Sequence, residues 1–110
     1  MSERAWKRTE RMVAARLGGH RVPITGRQRG DVPDVAHETL AVEVKHRRRL
    51  PGWLREAVAQ ALAAQRDRQL AVVILHEQRT RHDDDLVLLR LGDWCAWFGD
   101  LPRPEREPAT

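Results

Sequence analysis

Residues 40–45 read Leu-Ala-Val-Glu-Val-Lys, and this alternation constrains the fold more than any other stretch of the chain. Successive side chains of a strand point to opposite faces. Leu40, Val42 and Val44 therefore form one apolar face, while Ala41, Glu43 and Lys45 form the other. Residues 33–37 are a second strand candidate, and the short link between the two predicts a hairpin. A turn centred on Glu38-Thr39 sets Val35 against Val42 and Asp34 against Glu43. No Asn-Gly is present to define the turn type.

Around this hairpin the periodicity changes. Ser2 is a candidate cap for a helix running to Leu17, with Trp6, Val13 and Leu17 on one stripe and Gly18-Gly19 ending it. His20 to Ile24 reads as a short edge or bent strand because it contains Pro23. Thr25 to Asp31 reads as a loop. A second helix is expected from Trp53 to Asp67, with Leu54, Ala57, Val58, Ala61 and Leu62 as its apolar stripe. Leu70 to Leu75 is apolar throughout, as at the centre of a sheet. A polar loop, a strand from Leu86 to Leu91 and a short helix from Asp93 to Phe98 complete the order α-β-β-β-α-β-β-α. A mixed sheet with helices packed on it satisfies that order. The 110 residues fit one domain, residues 1–101, followed by a Pro-rich, charged tail at 102–110.

Nothing in the chain has the length of a membrane span, and the N-terminus lacks an apolar signal core. One cysteine, Cys95, forms no internal disulfide, so the expected setting is the cytoplasm. The net charge of +4 and pI of about 10.5 favour a polyanionic partner. Lys7 and Lys45 are the only lysines among 20 basic residues.

The lysine at position 45 stands where its chemistry matters. Glu43 and Lys45 share a strand face, and the expected register brings Asp34 beside them. Two carboxylates suit Mg²⁺, which prefers oxygen ligands and retains several waters. A lysine orients an attacking water as its ammonium or deprotonates it as its neutral amine, and it suits this better than arginine, which stays protonated. The solvated face of an amphipathic hairpin has the same pattern. Glu10 weighs against that simpler reading. It falls on the apolar stripe of the first helix, where an unpaired carboxylate is costly. A salt bridge to a neighbouring arginine is the alternative explanation. Arg4, Lys7, Arg8 and Arg11, then Arg27 and Arg29, then Arg47, Arg48 and Arg49 lie around these acids in sequence, as phosphate contacts require.

Glu10 in a first helix, Pro33-Asp34, Glu43-Val44-Lys45, and then a helix and an apolar strand resemble the PD-(D/E)xK nuclease superfamily. The short length and the basic, Gly-containing loop before Pro33 are most similar to the archaeal-type Holliday junction resolvases, which also occur in some viruses. The resemblance runs from about Trp6 to Phe98. It implies a restriction-endonuclease-like fold with a central five-stranded mixed sheet. It also implies a homodimer, Mg²⁺ with Mn²⁺ as a substitute, and paired cuts in a four-way DNA junction. If virus-encoded, such a protein would act in the host cytoplasm. Asp34, Glu43 and the Val44 carbonyl would correspond to metal ligands, Glu10 to the helix acid near the metal, and Lys45 to the water-orienting lysine. Gln60 would match a second-helix glutamine, and Thr25 a loop hydroxyl. A restriction-like or repair nuclease acting on linear or flapped DNA has the same site, and an inert DNA-binding module has the same fold.

Three further features read as structural. Trp94, Trp97 and Phe98 are either the packing face of the last helix or a dimer contact. Trp53 packs at the start of the second helix, or stacks on a base. His76, His82 and Asp83 to Asp85 match no zinc spacing and read as an acidic cap on a hairpin loop.

Overall fold

The computed structural model describes residues 4–22 and 33–99. Ser2, Pro23 to Asp31 and the tail at 102–110 lie outside the described residues, so the expected cap, the end of the first strand, the basic loop and the tail do too. The described residues are mixed α/β, with three helices and two small antiparallel sheets. The described residues divide into two compact units, 4–47 and 48–99.

In the first unit, α1 spans Ala5–Leu17. Arg4 occupies its N-cap without a side-chain cap. Gly18 closes it in the left-handed conformation at φ 80°. The Gly19 N–H reaches the Ala14 carbonyl at 2.8 Å and the Gly18 N–H reaches that of Ala15 at 3.2 Å. This is the paired-bond C-terminal motif that glycine makes accessible. Strand β1 (His20–Arg21) then pairs with β2 (Val35–Ala36), with His20 opposite Ala36 and Arg21 opposite Val35.

The expected hairpin register is present: Val35 and Val42 form an antiparallel bridge. The strand expected over 40–46 is not continuous, however, and that bridge is its single ladder position. One competitor for the ladder is visible. The Val44 N–H donates to the Asp34 carboxylate at 2.6 Å. His37 supports the turn by accepting from the N–H groups of Thr39 (3.0 Å) and Leu40 (3.2 Å) at Nδ1. Its Nε2 then carries the proton and donates to the Leu17 carbonyl at 3.0 Å.

Among the described residues of this unit the buried ones are few and mixed: Ala14, Val35, Glu10 and Asp34. Trp6, expected on the buried stripe, is 41% exposed, and Glu10 occupies the centre of that stripe instead. The tightest approach lies at Gly19, where an added Cβ would collide with the Ala36 carbonyl oxygen and stand 3.0 Å from Val35 Cγ1. Gly19→Ala is expected to cost about 1–3 kcal/mol, because strand backbone rather than a flexible side chain must yield. Thermal unfolding of the full chain checks this, and a fall of about 4 °C or more is the expected result.

In the second unit, α2 spans Gly52–Ala64, and β3 (Val73–Leu75) pairs with β4 (Leu86–Leu88). The stretch 70–75, expected at the centre of a sheet, has β4 as its one partner among the described residues, and Ile74 is 55% exposed. The two sheets thus stand where a single five-stranded mixed sheet was expected, and all described strand pairs are antiparallel. Short strands of two or three residues account for the difference locally. Helix α3 (Leu91–Phe98) carries Trp94 against Phe98 at 5.8 Å between ring centroids, with Trp97 and Phe98 exposed. Cys95 is half-buried.

Arg90 and Asp93 clasp the start of α3 with two hydrogen bonds, 2.8 Å from Nε and 3.2 Å from Nη2. The bond from Arg90, reinforced by its charge, holds the Asp93 carboxyl below its ordinary value of about 3.9. A carboxyl lowered in the folded state stabilises the protein above its unfolded pKa. That contribution is lost as pH falls through the lowered folded value. Asp93→Asn is therefore expected to flatten the acid limb of a melting-temperature profile taken between about pH 5 and pH 2.

Candidate active site in the first unit

Three local decisions of the chain converge on one open cleft of about 400 Å³. Helix periodicity brings Glu10 to it, the bridge at Val35 brings Asp34, and the segment after Val42 brings Glu43, Val44 and Lys45. Trp6, His46 and Arg47 complete its walls.

Asp34 is the most firmly placed of the acids. Its N–H donates to the Val42 carbonyl and its C=O accepts from Val22 N–H, both at 2.9 Å. Its carboxylate accepts from Val44 N–H at 2.6 Å, and the residue is 5% exposed. Glu10, 8% exposed, is held by Arg21, whose Nε lies 2.7 Å from Oε2. The salt bridge weighed as the alternative for Glu10 thus exists, with an arginine eleven residues along on β1. Glu43 and Lys45 pair directly, with Nζ 3.1 Å from Oε1, and both side chains are more than half exposed. Exposed pairs of this kind contribute about 0–1 kcal/mol, so these two residues are not there to hold the fold.

The acids and the main chain offer oxygen donors, three carboxylates and the Val44 carbonyl, beside the His46 imidazole. Each bonded carboxylate keeps further lone pairs, since an ionised carboxylate accepts at about four sites. Hard divalent cations take donors of this kind, but among the described residues the one set of three acidic, His or Cys side chains whose donor atoms converge is His76, His82 and Asp85, not these three carboxylates. No buried side-chain polar atom among the described residues lacks a partner.

Cations border the acids. Arg21 Cζ stands 5.6 Å and Lys7 Nζ 5.4 Å from the Trp6 ring centroid, both within cation–π range. Arg4, Arg8 and Arg11 are exposed on α1, and Arg47 lines the cleft. Arg48, Arg49 and Gln60 are exposed and belong to the second unit. Thr25, Arg27 and Arg29 lie outside the described residues.

Sequence reasoning missed Arg21 and His46. The need for a cation at Glu10 was legible, but its source on β1 depends on pairing with β2. His46 meets Thr9 Oγ1 through Nδ1 at 2.7 Å, which ties the end of the Glu43–Lys45 segment to α1. In the second unit, His76, His82 and Asp85 gather at the mouth of the β3–β4 hairpin, where an acidic cap was expected. Hydrogen bonds from His76 first and then His82 hold the Asp85 carboxyl below the usual carboxylate range. No protein-family model, curated protein or solved structure matches the chain.

Proposed function

We propose that the cleft is the active site of a metal-dependent DNA endonuclease of the PD-(D/E)xK type, acting on four-way junctions as a homodimer. One observation carries the reading: buried Asp34 and Glu10 share a cleft with the exposed Glu43–Lys45 pair, beside an arginine-bearing helix face. In this reading the fold is restriction-endonuclease-like, with the strand pairs belonging to a larger five-stranded mixed sheet.

Asp34, Glu43 and the Val44 carbonyl would hold Mg²⁺ or Mn²⁺. Bound there, the ion supplies Lewis acidity toward the scissile phosphate and stabilises the departing 3′ oxygen. Lys45 orients the attacking water as its ammonium, or takes up the water's proton as its neutral amine, a role that its exposure allows. Glu10, engaged by Arg21, acts from the outer edge of the site. Lys7, Arg8, Arg11 and Arg47 receive backbone phosphates, with Arg48, Arg49, Gln60 and the loop residues Thr25, Arg27 and Arg29 as further contacts. Paired cuts require two sites, which a two-fold dimer provides. The exposed Trp97 and Phe98 offer apolar surface for it.

The Glu10–Arg21 pair favours a second reading, a DNA-binding module whose acids are neutralised within the fold. Incubation of the full chain with a labelled four-way junction and with a linear duplex of the same sequence separates the readings. Mg²⁺-dependent, symmetric cuts in the junction alone are the expected result. Cutting of both substrates identifies a less selective nuclease on the same site. Tight junction binding without cutting in Mg²⁺ or Mn²⁺ establishes the binding module.

A further inference from the structure

Two independent geometric constraints meet at Asp85. The closing pair of the β3–β4 ladder is Leu75 with Leu86, so the next residues outward, His76 and Asp85, face each other across the hairpin. Between them the chain makes a 3-10 turn at His82–Asp84, and the Asp85 N–H closes it on the His82 carbonyl at 3.0 Å. Side chains three apart on such a turn eclipse one another, which stacks His82 over Asp85. Cross-strand pairing and 3-10 geometry thus deliver two imidazoles to one carboxylate.

The result is compact. His76 Nδ1 lies 2.6 Å from one Asp85 oxygen and His82 Nδ1 lies 3.0 Å from the other. The ring centroids are 4.5 Å apart, and one donor atom from each residue falls within 4.8 Å of the others. The Asp85 side chain is 10% exposed, whereas those of His76 and His82 are 38% and 84% exposed.

The geometry points to a divalent transition-metal site at His76, His82 and Asp85, distinct from the cleft of the first unit. Two imidazoles and one carboxylate are the donors that Zn²⁺, Co²⁺ and Ni²⁺ prefer, and they discriminate against Mg²⁺. Binding needs the proton of each neutral ring to sit on Nε2, which frees both Nδ1 lone pairs without changing the charge. Asp83 and Asp84 lie in the same turn and add negative potential, although Arg81 pairs with Asp84 at 3.3 Å. Three protein donors leave coordination positions for water on the exposed side of His82. An ion held there clips the ends of the hairpin together, so it also stabilises the second unit.

The assignment does not depend on the nuclease reading, and the test keeps the two apart. The full, metal-stripped chain is titrated with Zn²⁺ by calorimetry and with Co²⁺ by visible absorption, with melting temperature as a third readout. One ion per chain is expected at this site, counted with Asp34→Asn and Glu43→Gln in place so that the cleft does not add a second, with a rise in melting temperature. His82→Ala and His76→Ala should each weaken binding tenfold or more, while Asp34→Asn with Glu43→Gln should leave it unchanged. His82 is exposed enough that its loss does not threaten folding; circular dichroism of each variant confirms this. No uptake of Zn²⁺ or Co²⁺ at submillimolar concentration overturns the assignment. So does binding that survives both histidine substitutions, or binding that only the Asp34→Asn, Glu43→Gln variant removes.

Discussion

Glu43→Gln is expected to reduce Mg²⁺-dependent junction cleavage by a factor on the order of a hundred or more while leaving the stability of the protein within about 0.5 kcal/mol of the parent. The separation of the two effects follows from exposure. Glu43 pairs with Lys45 at 3.1 Å, and both side chains are largely in water. Loss of such a pair costs little in folding, but loss of a direct metal ligand costs more than the 10–100-fold typical of outer-shell partners. Lys45→Met should lower the rate by about 10²–10⁴, the range for a positioned proton acceptor, with Mg²⁺ affinity kept. Single-turnover cleavage and urea unfolding of both variants provide the readouts. A Glu43→Gln protein that cuts at the parental rate sinks the assignment of this face as catalytic.

A large effect on stability is expected of Arg21→Met. Arg21 is the cation for a carboxylate that is only 8% exposed. Removing one partner of a fully buried pair costs about 3–5 kcal/mol. Here Arg21 keeps 22% of its side-chain exposure, so solvent screening reduces the expected loss to about 2 kcal/mol. Adding Glu10→Met should recover most of it, because apolar groups replace a buried pair at little cost. Denaturant unfolding followed by fluorescence in a Trp53→Phe, Trp94→Phe, Trp97→Phe background, which leaves Trp6 with its ring 5.6 Å from Arg21, reports the change locally. Saturating Mg²⁺ discriminates further. If Glu10 is near enough to serve the metal, the ion should restore more stability to Arg21→Met than it adds to the parent. An equal increment in the two places Glu10 outside the metal's reach.

Local periodicity explains what was legible beforehand. Alternation at residues 40–45 announced the meeting of Glu43 with Lys45, and the short turn announced the pairing of Val35 with Val42. The stripe on α1 announced a carboxylate in an apolar setting, and Gly18-Gly19 announced where the helix ends. What escaped depends on contacts that periodicity does not encode. Asp34 takes the Val44 N–H with its side chain, so the strand at 40–46 stays nearly unpaired. Arg21 meets Glu10 only because β1 lies beside β2. His76, His82 and Asp85 match no linear metal motif, because their meeting depends on strand register and on a 3-10 turn.

The position of Asp34 has an evolutionary consequence. Its carboxylate has two tasks: it accepts the Val44 N–H at 2.6 Å, which ties down the neighbouring segment, and it faces the cleft. A lineage that abandoned catalysis would be free to drift at Glu43 and Lys45, yet selection for folding alone would still hold Asp34. Among descendants of this chain, retention of Asp34 would therefore be a poor indicator of activity, and the exposed pair at 43 and 45 would record whether the chemistry had been kept.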